Sequence, residues 1–254
     1  MRYPIPPIVG VQVYRRDVVI VRRQGKGQPE KPDRGSITEF SKRSRQRLAF
    51  VACNTDIVFK TMITLTYPGE YSQDGERVKA DLHAFLEWMR RELKATPGYL
   101  WFLEFQARGA PHYHVLIDWA MPRSRVEVKA FRFRLAAAWY RIVGSGDPRH
   151  LAAGTRVERV RKPDGAARYA VKYALKMRQK QVPEPYQNVG RFWGCSRDVV
   201  PSPVQSHRVT EDDVRGALEG WPYAPGQDRP VYRVLYGVSD RFLRDVESPA
   251  DPQE

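Results

Sequence analysis

Tyr99-Leu-Trp-Phe-Leu-Glu-Phe-Gln106, then Ala107-Arg-Gly-Ala-Pro111, then His112-Tyr-His-Val-Leu-Ile-Asp-Trp119 reads as two strands joined by a turn. Aromatic and β-branched residues fill both runs, and Arg108-Gly109-Ala110-Pro111 supplies turn chemistry, so an antiparallel hairpin is predicted. Residues two apart on a strand share a face. His112 and His114 therefore point together, while Tyr113 and Val115 take the other side. On the partner strand Leu100, Phe102, Glu104 and Gln106 share one face, and Trp101, Leu103 and Phe105 line the opposite one. The hairpin can bring Glu104 beside the histidine pair.

Outward from the hairpin the pattern alternates. Val58–Tyr67 is β-branched and apolar and stops at Pro68-Gly69, a strand and its turn. Val78, Leu82, Phe85, Leu86, Met89 and Leu93 recur at helical spacing, predicting a core-facing helix over 77–94. A second amphipathic helix spans Val126–Val143 and ends near Gly144. Thr155–Val160 reads as a short strand, Ala166–Met177 as a third helix and Gly190–Ser196 as another strand. Ser36, with Glu39 at the capping-box position, opens a helix to about Asn54. A small strand at 232–236 and a helix at 238–246 close the chain. The only clear strand-to-strand connection is a hairpin. The expected class is therefore α+β, an antiparallel sheet with helices on one face, rather than a doubly wound parallel sheet.

Residues 1–35, rich in Pro, Gly and Arg, read as a basic, flexible N-terminal arm, and 201–254 as a loosely structured C-terminal extension. The 254 residues suffice for one well-cored domain with appendages, or at most two small domains. Lys and Arg number 43 against 29 Asp and Glu, a formal charge of +14 that favours a polyanionic partner through counterion release. Cys53 and Cys195 are far apart with no CxxC, so they support neither a disulfide framework nor a zinc cluster, and a reducing cytosol is the expected compartment. No apolar run approaches 18 residues, so no membrane partner is expected. No Gly-x-x-x-x-Gly-Lys-Ser/Thr loop is present, so the chain is not expected to power its own helicase.

Two groups carry chemistry. Glu104, His112 and His114 would make a mixed nitrogen and oxygen set for Mg²⁺ or Mn²⁺, able to polarise a phosphoryl oxygen. Taken alone, a His-x-His on a strand is more often structural or DNA-contacting. A carboxylate on an otherwise apolar strand is harder to dismiss, because burial without a partner is costly. The second group is Tyr169-Ala-Val-Lys172-Tyr173-Ala-Leu-Lys176, in which two phenols stand one helical turn apart with lysines among them. A phenol titrates near pH 10, so it attacks at neutral pH only where a cation or base favours the phenolate. Alone, this helix reads more readily as two half-buried aromatics beside surface lysines. His83, His150 and His207 are assigned no role.

The order of three motifs is more telling than any one of them. Thr64-Leu65-Thr66-Tyr67-Pro68, Gly109-Ala110-Pro111-His112-Tyr113-His114 and Tyr169-Ala-Val-Lys172-Tyr173 resemble the motifs of rolling-circle replication initiators of the HUH endonuclease superfamily, of the two-tyrosine type. Gly190-Arg-Phe-Trp-Gly-Cys-Ser-Arg197 is similar to a segment found in phage and plasmid initiators. The resemblance covers roughly residues 36–200, which would be the endonuclease domain. It implies a ferredoxin-like antiparallel sheet whose central strands carry the histidines. It also implies Mg²⁺ or Mn²⁺ on His112 and His114, with Glu104 as the candidate third ligand.

The resemblance further implies that Tyr169 attacks single-stranded DNA at a replication origin or hairpin, leaving a 5′-phosphotyrosine and a free 3′-OH primer. Tyr173 would be the second nucleophile and Lys172 a phenolate or phosphate stabiliser. A host helicase and polymerase would act with it. Thr64, Thr66, Arg108, Lys176, Arg43, Arg47 and Arg191 are the expected DNA contacts. Relaxases place the tyrosine before the histidines, and single-tyrosine HUH transposases are smaller. The rival reading from another class is a non-catalytic sheet presenting Trp101, Phe102, Phe105 and Tyr113 to single-stranded nucleic acid.

Overall fold

A computed structural model describes residues 8–22, 36–161, 169–170, 182–217 and 233–236. The chain divides into two compact units, one of residues 33–52 and 56–200, the other of 1–32, 53–55 and 201–254.

The larger unit is built on β3 (Thr61–Thr66), β4 (Tyr99–Phe105), β5 (Pro111–Ile117), β6 (Thr155–Arg159) and β7 (Trp193–Cys195), in the order β6-β3-β5-β4-β7. (β1, Ile8–Val13, and β2, Asp17–Arg22, belong to the smaller unit.) Each neighbouring pair is antiparallel. Helix α2 (Gly75–Leu93) connects β3 to β4, and α3 (Arg125–Val143) with the short α4 (Pro148–Ala153) connects β5 to β6. Strand, helix, two strands, helix and strand in this spatial order is the ferredoxin-like split βαβ arrangement, so the predicted α+β class and hairpin hold.

Local chemistry sets the helices. Asp74 accepts from the Glu76 amide at 2.9 Å to cap α2, and Lys94 ends it in the left-handed region at φ 48°. Ser124, with Glu127 three residues on, opens α3, and Gly144 closes it at φ 66°. Val78, Leu82, Phe85 and Met89 of α2 and Phe131, Leu135 and Trp139 of α3 are buried against Ile63, Leu65, Tyr113 and Val115 of the sheet. Full burial contributes about 1.5–3 kcal/mol for each large apolar side chain.

The opposite sheet face is covered too, which corrects the expectation of helices on one side. Leu48, Val51 and Ala52 of α1 (Lys42–Asn54) pack with Met62, Leu100, Phe102 and Leu116. The reason is in the strands: β4 alternates two apolar sets, so both of its faces demand cover. Helix α1 also starts later than Ser36; Ser41 accepts from the Ser44 amide at 3.3 Å. Before it, Ile37 and Thr38 make backbone bonds to Gln187 and Val182, which keep this stretch out of the helix.

The smaller unit holds a four-stranded sheet of β8 (Gln205–Thr210), β1 (Ile8–Val13), β2 (Asp17–Arg22) and β9 (Arg233–Tyr236), in that order, with helix α5 (Glu211–Ala217) following β8. Residues 8–22 are thus a hairpin and not a flexible arm, and 205–217 carry a strand and a helix and not loose chain. Val9, Val11, Val13, Val18 and Ile20 are buried. The alternating Ile8-Val-Gly-Val-Gln-Val13 outweighs the flanking Pro and Arg that suggest an arm. Asp17, 1% exposed, is bonded by the Asn54 side-chain amide, whose Oδ1 accepts from the Arg16 amide at 2.9 Å.

Candidate active site

The register of three strands lays two rows of side chains across the α1-side face of the large sheet. Thr66, His112 and Glu104 are cross-strand neighbours, and so are Thr64, His114 and Phe102. Such neighbours have Cβ atoms about 4.5–5.5 Å apart, close enough for direct bonds. Thr64 Oγ1 lies 3.3 Å from His114 Nδ1, and Thr66 Oγ1 lies 3.0 Å from His112 Nδ1. His114 Nε2 lies 3.2 Å from Glu104 Oε2. The two imidazole rings stand 4.6 Å apart at 78°. His114 is 2% exposed and stacks on Phe102 at 4.9 Å.

Both imidazoles turn Nδ1 toward a threonine hydroxyl. At His112, where that oxygen accepts, Nδ1 carries the proton and Nε2 keeps a lone pair; at His114 the Glu104 carboxylate is the acceptor for an Nε2 proton, and the Thr64 hydroxyl then donates to Nδ1. Among the described residues no three His, Cys, Asp or Glu side chains form a ready metal cluster. The donor types are those a hard divalent ion takes: two imidazoles, a carboxylate and outer hydroxyl partners.

Of the predicted 166–177 helix, Tyr169 and Ala170 are the described residues, and both join this face. The half-buried Tyr169 ring lies 5.7 Å from His114 and 6.5 Å from Phe102, and the next residue, Ala170, is fully buried in the α1-side core. Lys172, Tyr173 and Lys176 lie outside the described residues. Arg43 and Arg47, one turn apart on α1, are exposed on a helix that packs on the same sheet face.

Two of the expected DNA contacts, Arg108 and Arg191, have neighbours within the protein. The Arg108 guanidinium donates to the carbonyls of Tyr67 and Pro68, both at 2.6 Å, and stacks over Tyr71 at 5.0 Å. It clamps the turn after β3, and charge alone could not separate that role from phosphate binding. Arg191 lies beside Lys79 of α2, its carbonyl accepting from Lys79 Nζ at 2.6 Å. That ammonium sits 4.1 Å above Trp101, on the face away from the histidines, and burial lowers its pKa to about 7.

His150, to which the sequence assigns no role, is 5% exposed, with Nδ1 2.8 Å from Ser145 Oγ and Nε2 2.8 Å from the Thr66 carbonyl. Trp139 Nε1 donates to that same carbonyl at 2.8 Å. Burial lowers the pKa of His150. The Asp147-Pro148 pair, an N-cap followed by proline at the first helical position, is the signal in the chain for α4 and its histidine.

Residues 60–178 match a family of replication-associated proteins of the ORF2 type. That stretch runs from β3 through both tyrosines and contains all three ordered motifs. Among curated proteins none matches the chain. Among solved structures, the N-terminal nuclease domain of the minute virus of mice non-structural protein 1 aligns at 10% identity with a TM-score of 0.23. The alignment covers 80% of this chain and 96% of that one. No helix among the described residues is long and apolar enough to cross a membrane.

Proposed function

We propose that this chain initiates rolling-circle replication of a plasmid or phage by nicking and rejoining one DNA strand at an origin. The observation that carries the reading is Tyr169, whose ring lies 5.7 Å from His114 in a segment similar to replication-associated proteins. In the proposed step Tyr169 Oη attacks the scissile phosphorus. The P–Oη bond forms as the P–O3′ bond breaks, the phenolic proton leaves to a base, and the 3′-oxygen departs as a primer hydroxyl once protonated. Rejoining is the reverse, with a 3′-hydroxyl attacking the phosphotyrosine.

Each residue has a task in this scheme. Thr64 and Thr66 hold the imidazoles by Nδ1, so that both Nε2 atoms would serve as ligands once an ion replaces the proton between His114 and Glu104. Glu104, His112 and His114 would hold Mg²⁺ or Mn²⁺. When bound, that ion supplies Lewis-acid stabilisation of the phosphoryl oxygens. Phe102 stacks on His114 and keeps water from that side of the ring. Lys172 is assigned to the phenolate, Tyr173 to a second transfer, and Arg43, Arg47 and Lys176 to phosphates of the single strand.

The binding-module rival is disfavoured by burial. Trp101, Phe102, Phe105 and Tyr113 are 7%, 1%, 8% and 0% exposed, so the sheet offers none of them as a stacking platform. The test is a covalent adduct on denaturing gels, made with single-stranded DNA from the replicon that encodes the chain. Adduct should form with Mg²⁺ or Mn²⁺ and fail in EDTA, with peptide mapping placing it on Tyr169. Adduct formation undiminished by EDTA would remove the metal, and attachment at neither tyrosine would remove the covalent mechanism.

A further inference from the structure

We propose that the cleft between α3 and edge strand β6 is a second nucleic-acid site, which grips the phosphate backbone of DNA flanking the cleavage position. The inference rests on the reading above. It concerns residues to which neither the motifs nor the histidine site assigns a role.

The cleft is open and has a volume of about 1610 Å³, beyond the roughly 300–1,000 Å³ of small-ligand pockets. Seven basic side chains line it against one carboxylate, Glu158. Arg125, Lys129 and Arg132 lie at successive spacings of four and three on α3, so they form one helical stripe. Its lining along α3 from Arg125 to Ala136 measures about 16 Å. That length matches about five nucleotide steps at 3.4 Å along a duplex strand.

Two of the cations are built into the wall. Arg132 reaches from α3 to donate to the Val157 carbonyl of β6 at 3.1 Å, and Arg159 donates to the Pro122 carbonyl. Carbonyl acceptors fix a guanidinium without cancelling its charge. Arg156 pairs with Glu158 at 2.7 Å, the lone ion pair in the lining among the described residues. Arg123, Arg125 and Lys129 are exposed, and their side chains make no hydrogen bond or ion pair with a described residue. Phe133, 68% exposed, stands among them and offers a ring to a base or sugar.

Position separates this site from the histidines. Helix α3 packs on the Ile63/Leu65/Tyr113 face, whereas His112, His114 and Tyr169 occupy the other. A nucleotide at the tyrosine cannot also lie in the cleft, so the cleft serves a different stretch of the same DNA. Both a single-stranded flank and a hairpin stem present the required phosphates.

The experiment uses the full chain and the triple variant Arg123→Gln/Arg125→Gln/Lys129→Gln. Three labelled DNAs are compared: a short oligonucleotide limited to the nick position, the same with a single-stranded flank, and the same with a hairpin stem. The variant should bind at least one flanked DNA 10-fold or more weakly at 0.15 M salt. Its log K against log[salt] slope should be shallower by about 2–3, from ~0.7–0.9 per phosphate contact. Adduct yield on the short oligonucleotide should be unchanged. A loss confined to the stem or to the flank identifies which DNA lies in the cleft. Unchanged affinity and slope on both flanked DNAs would overturn the proposal, as would an equal loss on the short one. Failure of the wild type to form any adduct counts against the proposed function, while the affinity comparison still decides the cleft.

Discussion

The two faces of the large sheet are made by the same three strands, yet they differ in kind. On the α2/α3 side Ile63, Leu65, Tyr113, Val115 and Ile117 form a sealed core with Trp139 and Phe85. One residue along each strand, Thr64, Thr66, His112, His114 and Glu104 bond to one another beneath partial cover. Period-two alternation lets one hairpin be scaffold and chemistry together. The polar face is tolerable because its members satisfy each other, and the apolar face supplies the rigidity that holds them. The two tyrosines show the contrast most sharply. Tyr113 is fully buried and bonds the Val78 carbonyl at 3.3 Å, and burial drives its pKa far up. It stays a phenol. Tyr169 is half-buried beside an imidazole.

Removing each hydroxyl is the strongest way to break this comparison. Tyr169→Phe should cut adduct formation by roughly 10⁴-fold or more, the scale seen when a nucleophile is deleted. Tyr113→Phe should leave cleavage intact and lower stability by about 1 kcal/mol, measured by urea denaturation. Equal cleavage by Tyr169→Phe and wild type would erase the functional asymmetry of the faces. Next in size is Trp139→Ala. It removes a fully buried ring and the donor to the Thr66 carbonyl, and should cost about 3–5 kcal/mol. A loss below about 1 kcal/mol, smaller than any buried-ring truncation, would show that the apolar face is not the scaffold.

Much of this is legible in the chain because it depends on short-range periodicity. The β4–β5 hairpin, the shared face of His112 and His114, and the nearness of Glu104 all follow from alternation about one turn. The caps at Asp74 and Ser124 follow from local hydrogen-bond chemistry. What escapes depends on tertiary partners. Arg108 reads as a phosphate ligand, but its charge says nothing of the Tyr67 and Pro68 carbonyls that fold back to it. The cover supplied by α1 requires knowing that Phe102 and Met62 need a lid. Residues 8–22 mislead because their surroundings have the composition of an arm, while the alternation of their valines is that of a strand. The cleft at β6 joins residues 123–132 to 156–159, which no local pattern connects.

The threonines sharpen the polar side of the comparison. Thr64→Val and Thr66→Val keep the shape and remove the oxygen that faces Nδ1. Loss of such an outer partner typically costs about 10–100-fold in metal affinity or activity. Each should therefore raise the Mn²⁺ concentration giving half-maximal adduct by about that factor, with little change in DNA affinity. Thr61→Val offers the control: its hydroxyl donates to the Trp119 carbonyl at 2.6 Å, away from the imidazoles. If Thr61→Val shifts the metal dependence as much as the other two, orientation of the histidines is not what the threonines provide.

The smallest expected effect links the two faces through His150. Its Nε2 meets the Thr66 carbonyl while the Thr66 hydroxyl meets His112, so a residue on the scaffold side braces a residue on the polar side. Burial lowers the folded-state pKa of His150 below the ordinary value of 6.5. The unfolded chain then binds more protons in the window between the two values, and stability must rise with pH there. The contribution is fully present above about pH 6.5 and is lost as pH falls through the depressed folded value. One titrating group can give at most about 1.4 kcal/mol per pH unit. The loss should be gentle, because Ser145 Oγ can accept from a protonated Nδ1. His150→Gln keeps an amide donor for the Thr66 carbonyl and cannot titrate. Its Tm should be flatter than that of wild type between about pH 6.5 and 5, with adduct yield near pH 7.5 close to wild type. A Tm profile parallel to wild type across that range would show that His150 is not the group being titrated.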